Sequence, residues 1–285
     1  MPPDGPAPDA DHWPQNARSW SNLGAPLRPS PDDTRIVEAA ISQWQRRHEA
    51  PMPGALLLGA TPELAACDWP AGTRLAAMDR NPAVITMLWP VPATPAGAVA
   101  ICADWRAMPL ALATVDMVVG DGCHVCARFP DEALAINREI HRILRPDGVF
   151  VIRVFLRPDR HESLDDIRHD LASGDVGSIH ALKWRIAAAL HESTADGVRL
   201  ADIWSAWQTM KPLAEREAAR RAWGQGWRPG ELATLEIHRG LETRFCMPTL
   251  GDFRATVADL FFERHSAIGG YELAERCRTF VLEKR

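Results

Sequence analysis

Five short apolar runs constrain this chain more than any other feature. They span residues 55–58, 74–78, 98–102, 115–119 and 149–156, and the first four close on Gly59, Asp79, Asp104 and Gly120-Asp121-Gly122. Continuous apolar runs of this length suit strands covered on both faces, not half-exposed strands. Between them, residues 63–67, 82–88 and 131–144 carry helical spacing. The last repeats Leu134, Ile136, Ile140, Ile143 and Leu144 before stopping at Pro146-Asp147-Gly148. Strands alternating with helices predict an α/β fold with a doubly wound, mostly parallel sheet.

The flanks read differently. Eight prolines among the first 31 residues predict an irregular segment 1–31, with Trp13, Trp20, Leu23 and Leu27 as apolar anchors. Asp32 and Asp33 open a helix over 32–48, so the α/β core spans 32–157. Residues 158–230 predict a helical insert, with patterns at 164–173, 179–191, 200–210 and 214–223. Strand signals at 232–238 and 242–246, a helix at 249–260, and strands at 261–266 and 278–282 make 231–285 the completion of the sheet.

Composition removes several classes. The net charge of −5 argues against an electrostatic nucleic-acid binder, and only three basic residues are lysines (Lys183, Lys211, Lys284), so arginine clusters count for less as phosphate sites. No run approaches a membrane-spanning length. Asp4, Asp9 and Asp11 stand where a secretory signal would carry positive charge, and six cysteines are too sparse for a disulfide scaffold. The expectation is a cytoplasmic protein with reduced thiols.

In an open parallel sheet, ligands bind beyond the carboxyl ends of the strands, where the strand order reverses. Gly59-Ala60-Thr61-Pro62-Glu63 follows the first run, and a glycine there lets a ligand approach the backbone. Asp79, followed by Arg80, offers a carboxylate able to accept both hydroxyl hydrogens of a ribose. Asp104-Trp105 joins an acceptor for an exocyclic amine to a flat apolar face. Asp121 and Gly122 close the fourth run. Each has a plainer reading: Asp79 as a helix cap, Trp105 as core, Asp121 as a turn residue, Glu63 as a first-turn acid.

This ordered series resembles the class I S-adenosylmethionine (SAM)-dependent methyltransferases, over residues 54–156 and more weakly over 249–285. The resemblance implies a seven-stranded, mostly parallel Rossmann-like sheet with SAM as cofactor. It implies Gly59, Ala60 and Thr61 near the methionine part, Asp79 on the ribose and Arg80 beside the adenine. Asp104 and Trp105 would contact the adenine, and Asp121 and Gly122 would lie nearest the transferred methyl group. Arg145-Pro146-Asp147-Gly148 is similar to the family's Arg/Lys-Pro-Gly-Gly turn. Two positions depart. Thr61 and Glu63 replace the second and third glycines of Gly-x-Gly-x-Gly, and Leu57 replaces the acidic residue two before the first. Glu63 or a group from the N-terminal segment is the expected substitute for the lost acceptor of the methionine amino group.

Cys123-His124-Val125-Cys126 has half the ligand spacing of a zinc site but no second pair, so no metal is expected. Lys211, Arg216, Arg220, Arg221 and Arg228 surround Trp223 and Trp227, with Glu215 and Glu217 among them. This reads as a solvated helix face with tryptophan anchors before it reads as a single-strand binding surface. Asp121, His124, His180 and Tyr271 are candidate bases, none singled out by spacing. The expected function is methyl transfer to a small-molecule acceptor, with the insert and the N-terminal segment as a lid. A macromolecular acceptor and a non-catalytic SAM-binding module are the alternatives. A nicotinamide dehydrogenase wants Gly-x-Gly-x-x-Gly, which residues 59–64 lack.

Overall fold

Burial on both faces decides where the strands form. The computed structural model describes residues 12–48 and 52–285, so the first eleven residues of the expected irregular segment lie outside the described residues. In chain order come α1 (Trp13–Arg18) and α2 (Pro31–Arg47). The core follows with β1 (Gly54–Leu58), α3 (Pro62–Ala65), β2 (Arg74–Asp79), α4 (Pro82–Leu88), β3 (Val99–Cys102), β4 (Val115–Asp121), α5 (Asp131–Ile143) and β5 (Leu144–Phe155). Next are α6 (Leu164–Ser173), α7 (Ile179–Ala189), β6 (Val198–Arg199), α8 (Leu200–Arg220), α9 (Pro229–Ala233) and β7 (Arg244–Phe245). The chain ends with α10 (Leu250–Val257), β8 (Phe261–Ala267) and β9 (Cys277–Lys284).

The sheet runs β3-β2-β1-β4-β5-β9-β8, with only β9 reversed. Side chains alternate across it with the period of two that a pleated strand imposes. Leu57, Leu75, Met117 and Val151 face α2, whose Val37, Ile41 and Trp44 cover them. Leu56, Val118, Phe150 and Ile152 face α5 and α10, where Ile136, Ile140, Phe253 and Val257 close the other layer. The strand order reverses between β1 and β4, so the tips of these two strands flank the natural ligand crevice.

Local sequence explains the ends. Ser30 and Asp33 cap α2 reciprocally, the Ser30 hydroxyl taking the Asp33 N–H and the Asp33 carboxylate taking the Ser30 N–H. Asp116 accepts from the Gly54 N–H at 2.7 Å and from Arg145 at 2.8 Å, tying the start of β1 to the turn at 145–148.

Four boundaries differ from the sequence reading. The expected irregular segment 1–31 contains α1, because Pro14 suits a first helical turn and Trp13 and Ala17 pack on Ala60, Val84 and Leu88. The helices expected at 200–210 and 214–223 are one helix, α8, with Pro212 inside it. Its buried stripe of Ile203, Trp207, Met210, Ala214 and Ala218 continues across the proline, and that burial outweighs a break costing about 3 kcal/mol. Residues 232–238 are helical, because Leu232, Leu235 and His238 are buried at a spacing of three. Completion of the sheet therefore begins at α10, not at 231, since Arg244–Phe245 pairs with Val198–Arg199 in the insert. No helix among the described residues is long and apolar enough to cross a membrane.

Replacing Asp116 by alanine leaves the Gly54 N–H without its buried acceptor. Urea unfolding should show a loss of about 1–3 kcal/mol, and an unchanged midpoint would refute that role.

Candidate functional site

One carbonyl organises the strand tips. The Met78 oxygen accepts both the Gly59 N–H and the Trp105 indole N–H, each at 2.7 Å, which draws the β1 turn and the loop after β3 onto the end of β2. Gly59 has φ +90°, a conformation natural to glycine, and a Cβ built there would point between Thr61 and the Asp79 carboxylate. Asn81, not Asp79, caps α4 by accepting from the Ala83 and Val84 N–H groups. The Asp79 carboxylate instead accepts the Asn81 N–H at 2.8 Å, beside the cavity that these tips enclose.

That cavity encloses about 1130 Å³ of empty space, open mouth included, and nine of the ten expected site residues line it. Gly59, Ala60 and Thr61 supply one edge, and Asp79 with Arg80 the next. Asp104 and Trp105 follow, then Asp121 and Gly122. Asp79 and Asp104 thus face the same space. The tenth, Glu63, is not among the lining. Its carboxylate accepts from the Trp20 indole at 3.2 Å and pairs with Arg28, while its Oε2 is buried with no hydrogen-bond partner among the described residues.

Two of the acids are held by arginines. Arg106 grips Asp104 through its side chain and its backbone N–H, which holds the Asp104 carboxyl below its ordinary range, and reaches on to Glu132 at 2.6 Å. Asp121 is paired with Arg153 at 2.5 and 3.0 Å, and both side chains are buried. Burial pushes the Asp121 carboxyl upward, with the Arg153 charge pulling against it. The Arg153 guanidinium also donates to the Pro26 carbonyl at 3.0 Å and the Tyr271 hydroxyl at 2.9 Å, and lies 3.4 Å from Asp33. The Tyr271 hydroxyl donates to Asp33 at 3.0 Å.

The N-terminal residues form the roof. Trp13, Asn16, Ala17, Trp20 and Leu27 line the cavity from α1 and the segment after it. Asn16 is buried, and its side-chain oxygen has no hydrogen-bond partner among the described residues. Neither Asn16 nor Arg153 was anticipated. A lone arginine inside the otherwise apolar run 149–155 is the signal that could have pointed to Arg153. Asn16 leaves no such trace in sequence.

Of the other expected bases, His124 and Tyr271 are engaged elsewhere and His180 lies outside the cavity lining. His124 bonds Asn137 at 2.9 Å within the core, and burial lowers it to about 4. Tyr271 is occupied by Arg153 and Asp33, and burial raises its phenol. His180 lies buried in the insert. Cys123 and Cys126 line the cavity, but no group of side chains suited to a metal occurs among the described residues.

Residues 56–152 match the family model described as a methyltransferase domain. No curated protein matches the chain. Among solved structures, one from Rhodobacter sphaeroides, described as a candidate zinc-dependent alcohol dehydrogenase, is 15% identical. It aligns over 95% of this chain and 98% of its own, with a TM-score of 0.57, a likeness of fold alone. A SAM-dependent methyltransferase from Methanosarcina mazei is 12% identical over 90% and 99% of the two chains, with a TM-score of 0.49. The N-methyltransferase NodS from Bradyrhizobium japonicum, solved with S-adenosylhomocysteine, is 10% identical over 96% and 99%, with a TM-score of 0.48.

Arg153→Met leaves Asp121 and Asp33 buried without their cation, and equilibrium unfolding should lose about 3–5 kcal/mol. A loss below about 1 kcal/mol, the range of an exposed pair, would mean the network is dispensable. Burial holds His124 and His191 neutral, each at about 4. A depressed histidine stabilises the fold above its unfolded value of about 6.5 and loses that contribution as pH falls. The urea midpoint should therefore fall as pH drops from 6.5 toward 4. A flat profile over that window would contradict the assignment.

Proposed function

We propose, from the premise that this chain is a class I SAM-dependent methyltransferase, that it methylates a small molecule bound between the sheet tips and a roof made by its own N-terminal residues. The observation that carries this reading is that Asp79, Asp104, Trp105 and Asp121, from three separate strand ends, line one cavity with Trp13, Trp20 and Leu27 above them.

The residues present fit the cofactor. Asp79 is a carboxylate at the cavity wall suited to a pair of ribose hydroxyls. Trp105, Val84 and Leu88 offer apolar surface for the adenine, with Arg80 and Asp104 at its edge. The absence of a side chain at Gly59 leaves the space beside Asp79 and Thr61 open. Near the Asp121 end, the carboxylates of Asp33, Glu63 and Asp121 outnumber the guanidiniums of Arg28 and Arg153 by one, an electrostatic preference for a cation. Glu63, with one buried oxygen unpartnered, is the proposed acceptor for the amino group that Leu57 cannot serve. Asn16 contributes a second unpartnered oxygen, at the roof.

When bound, SAM supplies a methyl group on a positively charged sulfur, open to in-line displacement. The chain's own task is placement. Trp13, Trp20 and Leu27 exclude water from above, while Gly122, Cys123 and Phe155 bound the space on the Asp121 side. Among the described residues at the two acidic ends of the cavity, Asp121 is committed to Arg153 and Asp104 to Arg106, while Asp79 is assigned to the ribose. The acceptor then arrives as a competent nucleophile, and positioning carries the rate.

The basic segment 211–228 supports a small acceptor. Lys211 is paired with Glu236, and Arg220 and Arg221 share Glu217. Arg221 also donates to the Gly174 and Val176 carbonyls, and Trp227 is buried with its indole on the Gly177 carbonyl. These three cations are engaged by carboxylates of the same region, where a nucleic-acid surface would present its cations unpaired.

Asp79→Ala should weaken SAM binding about tenfold by calorimetry, the loss of one or two hydrogen bonds to a charged acceptor. Glu63→Ala should weaken it to a smaller degree. Unchanged affinity in both variants would remove the proposed cofactor pose.

A further inference from the structure

Every residue of α7 is buried, yet the helix carries three basic or imidazole side chains, His180, Lys183 and Arg185. Arg185 is neutralised by Glu162 and Asp170, each at 2.5 Å. Lys183, 5% exposed, has no hydrogen-bond or ion-pair partner among the described residues. Both ring nitrogens of His180 and the indole N–H of Trp184, on the same turn, are buried without partners. From 3₁₀ residues 236–238, His238 adds two more unpartnered nitrogens, fully buried. Burial depresses both imidazoles, and the Lys183 charge adds to it, which puts the three groups in one another's field.

A buried polar group without a partner costs roughly 1–3 kcal/mol. Three side chains with this defect, His180, Trp184 and His238, beside a buried lysine without an ion pair among the described residues, describe a site awaiting a ligand better than they describe a core. The donor inventory sets the ligand's chemistry. Lys183 and Trp184 can only donate, and each neutral imidazole holds one further N–H, so the group they want is rich in acceptors and negatively charged. A lysine suits this role because its compact ammonium presents three donors to a single anionic group. Burial already brings Lys183 down to about 8. In a chain whose basic residues are nearly all arginine, that lysine stands out.

The cluster adjoins the cavity. Phe155, which lines it, contacts Trp184 at 4.5 Å between ring centres, and Trp184 in turn meets Phe245 at 6.5 Å. Gly24, in the N-terminal roof, approaches His180 so closely that a Cβ there would lie 2.9 Å from its ring. We propose that Lys183, His180, His238 and the Trp184 N–H, which lie outside the lining and directly behind Phe155, form an anion subsite reached from the cavity past that ring, which selects a small acceptor bearing a carboxylate on an apolar or aromatic body. The proposal rests on the methyltransferase reading for the acceptor's presence, and it adds the acceptor's charge.

The test uses the full chain saturated with S-adenosylhomocysteine and two probes, benzoate and its neutral isostere benzamide, with binding read by calorimetry and thermal shift. Benzoate should bind at least about tenfold more tightly than benzamide, and Lys183→Met should abolish that difference while S-adenosylhomocysteine affinity stays within about twofold. His238→Phe should reduce it partly. Equal binding of the two probes, no binding of benzoate, or a preference that survives in Lys183→Met would each overturn the subsite. If the wild-type chain fails to bind S-adenosylhomocysteine at all, the failure belongs to the methyltransferase reading instead.

Discussion

The Arg153 guanidinium is the interaction on which the site depends. A cation buried near the carboxyl end of a sheet strand must be surrounded by acceptors or it destabilises the strand that carries it. Four parts of the chain meet that need: Asp121 at the end of β4, Asp33 in the first turn of α2, the Pro26 carbonyl after α1, and Tyr271 in the turn before β9. The first of these is a strand tip and the third belongs to the roof. Satisfying one charge therefore hangs the roof over the sheet and sets the height of the cavity.

The same requirement divides the cavity electrically. At the end nearest β3, Asp104, Arg106 and Glu132 form an exposed chain of pairs that fixes Asp104 beside Trp105. At the β4 end, carboxylates exceed guanidiniums, which favours a cation there. Behind Phe155, outside the lining, Lys183 is buried without an ion pair among the described residues.

The core of this arrangement was legible because it rests on local rules. Runs buried on both faces read as strands, and the residue ending each run marks a strand tip, so Gly59, Asp79, Asp104 and Asp121 were visible before any coordinates. The capping role once open to Asp79 fell to Asn81 for a simple reason: Asn81 stands directly before Pro82, where a side-chain oxygen can reach two helix N–H groups. The errors lay where tertiary burial outweighed local preference. Pro212 sits inside α8 because its flanking apolar stripe is buried throughout, and 232–238 turned helical because three buried residues share a spacing of three.

The sequence by itself determined the alternation of strands and helices, hence the parallel sheet and the set of side chains at its edge, because hydrophobic period and turn chemistry act over a few residues. Only the tertiary structure decided what those side chains face. Arg153 meets Pro26 across 127 positions and Tyr271 across 118, and His180, Lys183 and His238 come together from separate elements of the insert. Charge pairing and burial at such separations depend on the folded path of the whole chain, and no local pattern encodes it.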